Sequence, residues 1–145
     1  MRLGKTLLAL ALAGGLLLTQ GVGAAASEPA GFSDVDEADW YAGAVAYVRE
    51  NGLMSGVSDT AFAPGAAMTR GMLATALWRY AGSPEAGAEG DFADEADLSP
   101  WAGRAADWAA ARGLVGLRDG NRFDPGGIVS RGEAAAALAA GADVL

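Results

Sequence analysis

Phe32-Ser33-Asp34-Val35, Trp40-Tyr41-Ala42, Gly52-Leu53-Met54-Ser55-Gly56, Phe62-Ala63-Pro64 and Met68-Thr69-Arg70 follow one another in that order. The stretch reads as a helix opener, a glycine-marked stop, an extended segment and a second helix cap. The chain then says much of it again. Phe92-Ala93-Asp94 stands 60 residues after Phe32-Ser33-Asp34, and from there the offset is 61. Trp40 recurs as Trp101, Tyr47 as Trp108, Gly52 as Gly113, Phe62 as Phe123, Pro64 as Pro125 and Arg70 as Arg131. A fixed period marks two copies of one supersecondary unit, and such units need neighbours to bury their apolar faces. Two copies read as an incomplete set.

Local signals place four helices. Asp39 is a suitable N-cap for a first helix that runs to about Asn51 and stops at Gly52. Trp40, Ala44, Tyr47 and Val48 share one face of it at helical spacing. Ala61-Phe62-Ala63 reads as a brief extended segment with Phe62 turned inward. Thr69 caps a second helix to about Ala81, with Met72, Leu73, Ala76, Leu77 and Tyr80 on its apolar stripe. In the second copy Ser99 caps the third helix, with Pro100 in its first turn, and Asp119-Gly120 forms a turn. Ser130 with Glu133 makes a capping box for the last helix. Apart from Leu138 that helix offers mostly alanine, which favours a helix but buries little area, so this end should pack weakly.

Arg2 and Lys5 precede an apolar run from Leu7 to Leu18, and Ala24-Ala25-Ala26 supplies a small-residue exit. That order predicts a secretory signal peptide cleaved after Ala26, with an uncleaved anchor as the competing reading. The division expected is residues 1–26 as signal peptide, 27–31 as tether, 32–83 as the first repeat, 84–90 as linker and 91–145 as the second repeat. The second repeat is degenerate in its mid-loop and last helix. The absence of cysteine excludes a lipid-modified N-terminus and a disulfide framework. Cleavage removes Arg2 and Lys5 and takes the formal net charge from −8 to −10, leaving arginine as the sole cation. Arginine holds two oxygens in a fixed fork where lysine acts as a point charge. An acidic surface without histidine argues against nucleic acid as a partner, and no membrane contact is expected once the signal is cleaved. An anionic polymer would meet the same repulsion unless arginines were placed locally.

Arg70 and Arg131 each follow a helix cap directly, where a cation is unfavourable to the helix dipole. That recurrence points to use by an anionic ligand or by an internal carboxylate. Trp40 and Trp101, at helical spacing with Ala44 and Ala105, read first as core and second as platforms for a sugar ring. Asp34 and Asp94 either cap turns or accept from a ligand. Asp119, Asn121 and Asp124 faintly suggest a calcium loop but lack the far bidentate glutamate, so a turn is the better reading, and no metal or cofactor is expected. Asp94-Glu95 with Asp97 reads as a solvated acidic loop. No carboxylate pair is set in an apolar cleft for glycoside hydrolysis, so no catalysis is expected.

Taken in order and twice over, these motifs resemble the S-layer homology repeat. The resemblance implies a mainly α fold of tandem helix-loop-helix repeats with short extended segments, an incomplete three-fold pseudo-symmetric bundle. It also implies a secreted, non-enzymatic module held at the bacterial cell surface, in the cell wall and its S-layer. Family members bind secondary cell-wall polysaccharide, often bearing pyruvate ketals, in grooves between neighbouring repeats. The polysaccharide-binding positions carried over are Asp34, Trp40, Gly56 and Arg70, then Asp94, Trp101 and Arg131. Departures are Gly71-Met72 where the family has alanine and an acid or amide, Glu95 after Asp94, and Leu117 in place of the glycine at Gly56. They make the first repeat the expected better binder. The alternative function is structural: the two repeats complete a set of three with another chain of the same kind, or by self-association.

Overall fold

The computed structural model describes residues 31–87 and 89–142; the expected signal peptide and nearly all of the tether lie outside them. Four α-helices form within these residues: α1 Ala42–Glu50, α2 Arg70–Tyr80, α3 Gly103–Ala111 and α4 Arg131–Gly141. A 3-10 turn at Glu95–Asp97 occupies the acidic run. Two isolated bridges, Thr69 with Ile128 and Arg118 with Arg122, are the extended pairings among the described residues. The fold is therefore mainly α.

The even-numbered helices start where their caps predict. Thr69 Oγ1 accepts from Met72 N at 3.3 Å, and Ser130 and Glu133 cap each other reciprocally. α1 and α3 start later than expected. The Asp39 carboxylate accepts from Asp36 N at 2.9 Å, which closes a turn ahead of the helix and leaves Tyr41 at the N-cap with no side-chain bond. Ser99 likewise uses its carbonyl to accept from Ala102 N at 2.8 Å, so α3 begins at Gly103. Gly52 and Gly113 end their helices with φ near +67°, a conformation open to glycine without strain.

The segments at Phe62 and Phe123 are not strands. Ala63 and Asp124 occupy the same place in the two copies, and both take left-handed backbone, φ 59° and 57°. Each segment folds back over the opening loop of its own unit. Phe32 packs on Phe62 and Phe92 on Phe123, with ring centroids 5.4 Å apart in both pairs.

The two units do not share the core equally. α2 and α3 form the close helix pair, so the second helix of unit 1 packs on the first helix of unit 2. Ala74 and Leu77 of α2 join Ala105, Ala106, Trp108 and Ala109 of α3 in one buried cluster. Phe92, Leu114, Val115, Phe123 and Ala137 complete it. α1 buries only Val45 and Ala46, outside that cluster. α4 leaves Leu138 66% exposed, in keeping with its expected weak packing.

Candidate functional site

Two carboxylate clamps hold the units in shape. Asp34 accepts from Phe62 N at 2.9 Å and from Ala63 N at 2.7 Å. Asp94 accepts from Phe123 N at 2.8 Å and from Asp124 N at 2.7 Å. Each aspartate thus uses both oxygens to fix the left-handed bend of its unit. The bonds from Phe62 and Ala63 lower the Asp34 pKa. For Asp94 burial pulls upward, but the two backbone donors prevail and its pKa is also lowered. Gly56 is required for internal reasons too. At φ 80°, a Cβ there would lie 2.6 Å from Ala61 O and 2.7 Å from the Phe32 ring.

Arg70 is only 2% exposed. Its Nε donates to Phe123 O at 2.8 Å, Nη1 donates to Glu133 Oε1 and Nη2 to Gly116 O. All three acceptors belong to unit 2. The Glu133 carboxylate also pairs with the Arg118 guanidinium, Oε1 lying 3.0 Å from Nη2, and its other oxygen takes both Ser130 donors. The Ser130 backbone bond, then the Ser130 hydroxyl, then Arg70 and Arg118 outweigh burial and lower its pKa to about 2. The α2 backbone docks on the same unit, with Arg70 N on Gly127 O at 2.8 Å and Gly71 N on Pro125 O at 3.0 Å. A Cβ at Gly71 would sit 3.2 Å from Pro125 O, which accounts for glycine where the repeat pattern has alanine. Of the two sequence alternatives for Arg70, the internal carboxylate is the one found. The guanidinium is enclosed and ties the two units together.

The tryptophans reverse the other sequence preference. Trp40 is 93% exposed and Trp101 52% exposed, so neither belongs to the core. Helix α1 begins after Trp40 and α3 after Trp101, so neither indole lies on the inward helical face that the spacing suggested. Trp40 meets Tyr41 edge to face, with centroids 5.4 Å apart. Arg131 is exposed and forms no ion pair among the described residues. The seven positions carried over from the repeat thus fall into two groups. Asp34, Gly56, Arg70 and Asp94 serve the fold, while Trp40, Trp101 and Arg131 face outward. Glu133 and the Gly116 carbonyl were not read as part of the Arg70 site. The capping box was legible, but no sequence signal showed that its glutamate also receives an arginine 63 residues away.

A cavity of about 280 Å³ lies between α2, the linker and α3, lined by Trp78, Pro84, Glu85, Glu89, Arg104 and Asp107. None of the seven positions borders it. No cluster of metal-ligating side chains and no helix long and apolar enough to cross a membrane occurs among the described residues.

The S-layer homology domain matches residues 31–71 and 91–135. A surface-layer 125 kDa protein of Lysinibacillus sphaericus is 39% identical over 87 residues, covering 58% of this chain and 7% of that protein. An amylopullulanase of Thermoanaerobacterium thermosulfurigenes is 34% identical over 112 residues, covering 74% of this chain and 6% of that enzyme. The chain therefore spans less than a tenth of either relative's length. Two domain matches that track the duplicated motifs leave one assignment: the chain belongs to the S-layer homology domain family, whose domains are cell-surface anchoring modules rather than catalysts.

Proposed function

We propose that the chain anchors non-covalently to the bacterial cell wall by binding secondary cell-wall polysaccharide. The observation that carries this reading is the exposure of Trp40 and Trp101 at equivalent places in the two units. An indole left in water exposes a large apolar face that soluble domains ordinarily cover. Two of them, one per unit, offer platforms on which sugar rings stack. The similarity to a surface-layer protein supports the same reading. With Arg70 enclosed, polymer contact rests on the indoles rather than on a pair of guanidinium forks.

Retention on purified cell-wall sacculi, before and after the polysaccharide is stripped, tests the proposal. The chain is expected to sediment with intact walls and to stay in solution with stripped ones. Equal retention on both overturns it. The mechanism is tested separately by Trp40→Ala with Trp101→Ala, which is expected to abolish retention while the helical circular dichroism is kept. Salt adds a further sign. Stacking against a surface of net charge −8 is opposed by like-charge repulsion from an anionic polymer. Raising salt from low to physiological strength is expected to strengthen retention, whereas arginine-fork binding would weaken.

A further inference from the structure

The linker between the units is fastened at both ends beside the cavity it helps to form. At its start Trp78 Nε1, on α2, donates to Pro84 O at 2.8 Å. At its end Gly90 N donates to Asp107 Oδ1, on α3, at 2.8 Å. Between the two ties Ala86 packs against the core. The side chains that build this corner lie outside the duplicated pattern. At the offset of 61, Trp78 answers to Ala139, Arg104 to Gly43 and Asp107 to Ala46. The cavity therefore belongs to the junction and not to the repeat.

Its volume of about 280 Å³ falls just below the roughly 300–1,000 Å³ of pockets that enclose drug-sized molecules, so a fitting occupant is small. The lining sets the chemistry of that occupant. Trp78 and Pro84 supply apolar walls. Glu85 and Glu89 from the linker and Asp107 from α3 place three carboxylates around a single guanidinium, that of Arg104. Among the described residues the side chains of Arg104, Glu85 and Glu89 form no ion pair. Unpaired charges of both signs around an apolar wall are complementary to a molecule that carries a carboxylate and an ammonium on an apolar stem.

We propose that this cavity binds a basic α-amino acid, free or at the C-terminus of a peptide. The ligand carboxylate pairs with the Arg104 fork, its side-chain ammonium with Glu85 and Glu89, and its methylene stem lies on the Trp78 indole. Asp107 keeps its bond to Gly90 N and adds to the negative field that favours the ammonium. The cavity borders none of the seven repeat positions, so this inference stands apart from the wall-binding reading.

The probes are L-lysine, the dipeptide Gly-Lys, norleucine, which lacks the side-chain ammonium, and lysine amide, which lacks the carboxylate. Each is titrated at neutral pH into the full chain labelled with nitrogen-15. The readout is the Trp78 indole N–H signal, identified by its loss in Trp78→Phe. L-lysine or Gly-Lys is expected to move that signal saturably in the millimolar range, as suits so few contacting atoms. The tighter of the two names the source of the ligand. Norleucine and lysine amide are expected to bind about tenfold more weakly, the loss of one charge-assisted bond. Arg104 is exposed and pairs with nothing described, so Arg104→Gln is expected to keep the helical circular dichroism. That variant should bind L-lysine no better than the amide, and Glu85→Gln with Glu89→Gln should bind it no better than norleucine. The proposal is overturned if neither L-lysine nor Gly-Lys moves the signal saturably, or if norleucine or the amide binds as well as they do. It is equally overturned if folded Arg104→Gln still prefers L-lysine to its amide.

Discussion

Arg70 directs all three guanidinium nitrogens into unit 2, and the energetics of that enclosure set what its replacement should do. Arg70→Ala leaves Glu133 with a weaker cationic neighbour and strands two carbonyls, so it should cost about 3 kcal/mol, as breaking a buried pair does. Arg70→Lys should recover little of that, because one ammonium cannot reach three separated acceptors. Urea unfolding midpoints of the three chains are the check. Acid should act on the same residues. Asp34, Asp94 and Glu133 all have carboxyl pKa values lowered by folding. A carboxyl of this kind contributes stability above its unfolded value and loses it as the pH falls through the folded one. For Glu133 that window runs from 4.5 down to about 2. Stability should therefore hold level from neutrality to about pH 5 and decline towards pH 2, as thermal unfolding across that range would show.

Helices α2 and α3 form the centre of the fold, while α1 and α4 each bury only two residues. Local opening follows packing, so amides of α1 and α4 should exchange with deuterium faster than those of α2 and α3 in native buffer. Uniform protection across the four helices would contradict this. The same elements show what could be read in advance. Thr69 and Ser130 declared their helices because a side-chain cap is a local event. Gly52 and Gly113 declared the stops for the same reason. Asp39 and Ser99 misled, because a residue suited to capping serves equally well in a turn just before a helix. Trp40 and Trp101 misled because spacing tells which residues share a face but not where the helix begins. Arg70 could be flagged only as an arginine out of place. Its acceptors are contributed by loops and a helix that adjoin it only after the units dock.

At the scale of the molecule, duplication in sequence becomes asymmetry in structure. Along the second helix of each unit, one copy of the shared face closes an internal contact while its counterpart faces solvent. Leu77 is 8% exposed against 66% for Leu138. Arg70 lies in a socket where Arg131 lies in water. The duplicated pattern made the repeat legible; it could not show which copy of each face would be covered, since that depends on which unit comes next.

The crossing of Arg70 from one unit into the other has a mechanical result. The peptide between the units is not what keeps them together. A protease cut anywhere from Glu85 to Glu89 would sever the backbone yet leave the guanidinium tie, the α2 docking bonds and the joint core intact. The two fragments should co-migrate as a single particle in native buffer and part only in denaturant. Load passing from one unit to the other would then cross a side-chain rivet as well as the connecting peptide.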